Sequence, residues 1–187
     1  MPSITHHLVH FSLAIAREPL DHPSMAESVE QLEPVNQLAR ASRGFVWAPE
    51  GDEAGNATAI FGSGRALANL SVWRSLEDLR RFVYEGLHAG ALKRTNEWFE
   101  APRGPAYVLW WMPVGDRPDL VEARRRLERL SLHGPTPDAF TFTEVFDPLE
   151  PDPYATIHWG GTLARLSRGP SCAMMRGARL IRKCSDR

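Results

Sequence analysis

An α+β fold is what this sequence predicts, on three observations. Segments with the two-residue period of strands occur near 7–16 and 66–73, and a continuous apolar run of strand length follows at 105–115. Between them lie two helical stripes, each opening on a capping pattern, and strand and helix alternate along the chain.

In the first strand Val9, Phe11, Leu13 and Ile15 share one side, and Leu8, His10, Ser12 and Ala14 the other. Ser24 with Glu27 three residues later reads as a capping box, and Met25, Val29, Leu32, Asn36 and Ala39 form the stripe of a helix ending near Ser42. Pro34 lacks an amide donor, so a kink or break is expected near its middle. After Gly44, "FVWAPEGDEAGNATAIF" gives a short aromatic strand, an acidic glycine-containing turn and a strand continuation. "RALANLSVW" is the next strand. Ser75 and Asp78 cap a second helix with Leu76, Leu79, Val83, Leu87 and Gly90 inward, running to Phe99. "PAYVLWWMPVG" reads as a central strand covered on both faces. Asp119 and Glu122 open a third helix, with Leu120, Ala123, Leu127 and Leu130 inward, and "DAFTFTEVF" supplies a last strand.

The order is β-α-β-β-α-β, a ferredoxin-like split βαβ arrangement, with an extra C-terminal helix and strand. Helices on one side would leave the other sheet face uncovered, and a twofold homodimer in which two sheets meet is the expected cover.

The 187 residues suit one folded domain, 1–148, followed by a Pro-rich linker and basic tail, 149–187, with little periodicity and few apolar residues. Charge divides in the same way, with 15 Lys and Arg against 20 Asp and Glu in 1–148, and 7 against 3 beyond. An acidic body argues against nucleic acid as the partner, because phosphate binding needs a cationic face. Cys172 and Cys184 support neither a disulfide framework nor a cysteine zinc site, which fits a reducing compartment. "LVHFSLAIA" ends in an Ala-x-Ala pattern, but no Lys or Arg precedes it and histidines interrupt it. It is read as a strand, the location expected is cytoplasmic, and no run approaches the roughly 18 apolar residues of a membrane span.

Alternation along 66–73 puts Asn69, Ser71 and Trp73 on one face. One reading makes them pocket donors. The other has Trp73 plugging the core with its N–H satisfied and Asn69 serving a strand edge. His88 lies about 120° around its helix from Leu76, beside Tyr84 and Thr95, on the shoulder of the core stripe. An imidazole there suits a general base or an axial haem ligand, although a lone His is as readily structural. Arg74 and Tyr84 are candidates as anion clamp and second donor, and Ser71, His10 and Trp98 complete the candidate ligand-binding set. The "HHLVH" stretch suggests metal, but four strand residues span about 13 Å, too far for one ion between His6 and His10, so no metal site is expected. The "GSG" at 62–64 precedes a strand rather than a helix and is not a phosphate loop.

Three blocks, "HHLVHFSLAIAREPLDHPSMAESVEQLEPVNQLARASRGFVW", "LANLSVWRSLEDLRRFVYEGLHAGALKRTNEWF" and "AYVLWWMPVGDRPDLVEARRRLERLSLHGPTPDAFTF", resemble the bacterial family called domain of unknown function 3291. The resemblance covers residues 7 to about 148. It implies a dimeric α+β barrel, a group that includes antibiotic-biosynthesis monooxygenases and haem-degrading oxygenases. It also implies that Asn69 and Trp73, at the four-residue spacing seen in the monooxygenases, hold an aromatic substrate and its developing oxyanion, and that a His on the following helix joins them. Ser12 and Ile15 stand where such sequences often carry Asn and Arg. The expected activity is that of a monooxygenase, oxidase or cyclase on a planar or polyketide-like metabolite, without metal or flavin, with His88 as base and Asn69 and Trp73 as donors. Haem binding or breakdown, and a non-catalytic ligand-binding or dimerisation module, are the alternatives.

Overall fold

The computed structural model describes residues 5–50, 57–84 and 95–148. Contacts divide the chain into two units, Met1–Glu150 and Pro151–Arg187. The expected tail, 149–187, lies outside the described residues.

Among the described residues four strands form one antiparallel sheet. β1 (His6–Ile15) pairs on one side with β3 (Ala66–Trp73) and on the other with β4 (Tyr107–Pro113), and β2 (Phe45–Trp47) flanks β3. The order β2-β3-β1-β4, with helices between β1 and β2 and between β3 and β4, is the ferredoxin-like arrangement that the sequence predicts.

The first helical region is broken, as Pro34 requires, but one turn earlier than Pro34 itself. A 3₁₀ turn (Pro23–Met25) leads into α1 (Ala26–Glu30), and α2 (Leu32–Ala41) starts after Gln31. Pro34 has no N–H to donate to the carbonyl four residues back, at Glu30, and that is where α1 stops. The N-terminal cap is His22, whose Nδ1 accepts from the Ser24 N–H at 3.3 Å, and not the expected Ser24.

Two other caps are as expected. At the start of α4 (Leu76–Tyr84), the Ser75 hydroxyl accepts from the Asp78 N–H at 3.1 Å and donates to the Asp78 carboxylate at 2.7 Å. At α6 (Leu120–His133), the Asp119 carboxylate accepts from the Glu122 N–H at 2.7 Å. A short α5 (Thr95–Trp98) precedes β4.

The segment 57–61 is a helix, α3 (Ala57–Phe61), where a strand continuation was expected. Helical spacing lets Ala57, Ile60 and Phe61 pack together on the core, and the Phe61 ring stacks on Phe11 at 5.7 Å. β4 is apolar on both faces but is an outer strand of the ladder rather than a central one. Hydropathy reports the covering of faces, whereas ladder position depends on edges. The last strand expected at 138–146 reduces to two isolated bridges, one between Ala139 and Thr136 and one in which Phe140 and Leu109 exchange N–H···O bonds of 2.8 and 2.9 Å along that outer edge.

Both faces of the sheet are covered. On one, Val9, Phe11, Leu70, Val72, Val108 and Trp110 pack against Leu120, Ala123 and Leu130 of α6 and against α3. The expectation of an uncovered face is therefore corrected: this chain's own appended helix occupies the place where a second sheet was to be the cover. The opposite face meets α2 and α4 and carries the site described below.

Gly44 joins α2 to β2 at φ +80°, and a Cβ there would fall 2.3 Å from the Asp78 carboxylate that caps α4. Gly44→Ala should cost about 3 kcal/mol by combining left-handed strain with a disturbed cap. Gly62→Ala, at φ +69° with open space around it, should cost about 1 kcal/mol. Urea unfolding of the two variants tests this, and equal losses would contradict it.

Candidate functional site

Strand alternation sets His10, Ser12 and Ala14 of β1 and Leu67, Asn69, Ser71 and Trp73 of β3 on the face that meets α2 and α4. Register then fixes neighbours across the two strands, with His10 opposite Ser71, Ser12 opposite Asn69 and Ala14 opposite Leu67. On the other flank of β1, Ser12 pairs with Tyr107. The apolar ends of this face are packed solid. At one end Leu8, Trp73 and Leu109 sit beneath Leu79, Val83, Phe140 and Phe142, and at the other Ala16 packs with Met25, Trp98 and Phe99.

Between these two clusters lies a hollow of about 470 Å³. Its floor is the polar row His10, Ser12, Asn69 and Ser71 with Tyr107, and its walls include Val35 and Ala39 of α2, Phe82 and Val83 of α4, and Phe45 and Phe142. The size and the contrast of an apolar wall with a few convergent polar groups are those of a small-molecule site.

Of the residues singled out from sequence, Asn69, Ser71, His10 and Tyr84 line this hollow. Asn69 is exposed into it, Ser71 is buried, and Tyr84, 60% exposed, stands at the rim with its ring edge-on to Phe142. Trp73 does not line it. It is fully buried, stacks on Phe82 at 5.0 Å, meets Phe45 edge-on at 5.5 Å, and its indole N–H donates to the Ser71 hydroxyl at 3.0 Å. Trp98 is buried in the far cluster, where its carbonyl accepts from the Arg17 N–H. Arg74 is exposed, its N–H bonded to the Gly44 carbonyl. His88 lies outside the described residues.

Tyr107, Asn36 and Arg40 also line the hollow and were not chosen from sequence. Tyr107 sits inside an apolar run, and only the β1–β4 register brings it beside Ser12. Its hydroxyl accepts from the Phe142 N–H at 3.3 Å, and its ring centre lies 6.2 Å from that of His10. The Arg40 guanidinium is held by Glu50 at 3.0 Å and Glu33 at 3.7 Å. Among the described residues, no three His, Cys, Asp or Glu side chains gather as metal ligands, and no helix is long and apolar enough to cross a membrane.

Arg74 bears on a different histidine. Burial, and then the Arg74 guanidinium, hold the His7 imidazole below its usual pKa of 6.5. The folded protein thus binds fewer protons at this group than the unfolded chain, and the stability it contributes is lost as pH falls below 6.5. Thermal midpoints should fall less steeply on acidification in His7→Gln than in the wild type, and parallel curves would contradict this.

Packing separates the two residues read from sequence as a pair. Trp73→Ala should destabilise the fold by about 3–5 kcal/mol, whereas Asn69→Ala should change stability by less than about 0.5 kcal/mol. Comparable losses in denaturant melts would overturn this division.

The model of the family described as "Domain of unknown function (DUF3291)" matches residues 7–155. No match to the chain was found among the curated proteins. Solved structures similar to it include a protein of unknown function from Nitrosomonas europaea, at 11% identity and TM-score 0.40, covering 62% of this chain and 96% of that one. Another, from Pseudomonas aeruginosa, has 16% identity and TM-score 0.38, covering 59% and 96%. SnoaB, a cofactor-independent oxygenase from Streptomyces nogalater, has 12% identity and TM-score 0.38, covering 62% and 97%.

Proposed function

Starting from the premise that the chain belongs to the domain of unknown function 3291 family, we propose that it binds a planar aromatic or polyketide-like metabolite in the hollow and oxidises or cyclises it without metal or flavin. The observation that carries this reading is the hollow itself, in which a row of hydrogen-bonding side chains on β1 and β3 faces apolar helical walls. Dry walls strengthen the hold of fixed donors on a developing anion.

In the oxygenase form of the reaction, an imidazole removes a proton from an activated CH₂ group of the substrate. His88 is assigned this role from its place in the sequence, and His10 is the second candidate because it lines the hollow. The enolate or phenolate oxygen is held by Asn69 on the same floor. The electron-rich carbon passes an electron to dioxygen and combines with the resulting superoxide to give a hydroperoxide. Loss of the remaining C–H proton and cleavage of the O–O bond then leave a ketone and one water, so both oxygen atoms and all four electrons are accounted for.

Oxygen uptake with anthrone in the presence of a chelator tests the reading. Wild-type protein should turn over, Asn69→Ala should lose about 100-fold in kcat with its stability kept, and whichever of His88→Ala and His10→Ala is the more impaired identifies the base. Tight anthrone binding without uptake would make the protein a binding module. A Soret band on adding haemin, lost in His88→Ala, would favour the haem reading.

A further inference from the structure

One member of the polar floor is hydrogen-bonded to the buried core. Trp73 has one donor, its indole N–H, and no acceptor, and that donor is spent on the Ser71 hydroxyl at 3.0 Å. Fully buried and absent from the lining, it has no second hydrogen with which to reach a ligand. Ser71 is placed differently: only 6% exposed, it nevertheless lines the hollow. One of its lone pairs is taken by the indole, and among the described residues its hydroxyl hydrogen has no acceptor. A buried hydroxyl that accepts a bond from an indole N–H is polarised towards donating its own hydrogen to a group in the space it borders.

We propose that the Ser71 hydroxyl, not the Trp73 indole, is the hydrogen-bond donor that meets the ligand's oxygen, and that Trp73 is a positioning residue acting through it. The inference rests on the hollow being the ligand site, and it narrows the ligand to one that presents an acceptor oxygen at Ser71: a carbonyl, a phenolate or an enolate. Trp73 contributes twice. Its ring backs Phe82 and Phe45, which line the hollow, and its N–H fixes the rotamer of Ser71 and strengthens the outgoing bond. His10, directly across from Ser71 in the register and on the same floor, is placed to share the same oxygen or the proton it gains.

A double-mutant cycle on binding under anaerobic conditions tests this, with anthrone as the oxygen-bearing probe and 9,10-dihydroanthracene as the probe without oxygen, both by equilibrium dialysis. Ser71→Ala should weaken anthrone about tenfold. Trp73→Phe, which keeps an aromatic ring but has no N–H, should weaken it about threefold when Ser71 is present and not at all in the Ser71→Ala background. Dihydroanthracene should bind all four proteins alike. Equal Trp73→Phe penalties in both backgrounds would mean direct contact and overturn the relay while leaving the site in place. No anthrone binding by folded wild-type protein would overturn the site reading and the relay with it. The relay has a second readout that needs no ligand and leaves the indole untouched: Ser71→Ala should move the Trp73 indole proton resonance upfield in ¹H–¹⁵N spectra as its acceptor is lost, and an unchanged resonance would contradict the proposal.

Discussion

The hydrogen bond from Trp73 to Ser71 marks where the packed part of one sheet face ends and the hollow begins. Two residues apart on β3, the side chains point the same way, yet one is sealed under Phe82 and Phe45 and the other borders open space. A fully buried indole requires an acceptor for its N–H, and here the acceptor comes from the polar floor rather than from the backbone. The packed core and the polar floor are thereby joined at a single bond, which ties the position of Ser71 to the packing around Trp73.

The rest of the architecture supports that face. β1 lies between β3 and β4, so its register sets His10 and Ser12 against Ser71, Asn69 and Tyr107. The interruption at Gln31 separates α1 from α2, and α2 then supplies Val35, Asn36 and Ala39 to the wall. On the reverse side α6 and α3 bury the apolar face, with the Arg124 guanidinium bonded to the Ile60 carbonyl between the two helices and Arg126 lying 5.0 Å over the Trp110 ring.

Much of the fold is legible in the sequence because local patterns determine it. Alternation identified β1 and β3, Ser75 and Asp119 announced α4 and α6, and Pro34 announced a broken helix. The misses have a common physical origin. The helix at 57–61, the outer place of β4 and the destination of α6 all depend on which surfaces meet, and periodicity carries no record of partners. The site divides in the same way. Alternation was enough to put Asn69 and Ser71 on one face, and residues 69 and 73 shared it too, but whether a side chain on that face meets another ring or a void is a property of packing. Trp73 meets rings, Asn69 meets a void, and Tyr107 enters only through the pairing of β4 with β1.

Occupancy of the space between the β1–β3 floor and the α2–α4 wall by an oxygen-bearing aromatic is the central claim. A crystal structure of the full chain soaked anaerobically with anthrone addresses this directly. The ring system is expected among Phe45, Phe82 and Val35, with its oxygen within hydrogen-bonding distance of the Ser71 hydroxyl or the Asn69 carboxamide. A ligand bound on another surface, or a floor closed by side chains in the crystal, would contradict it.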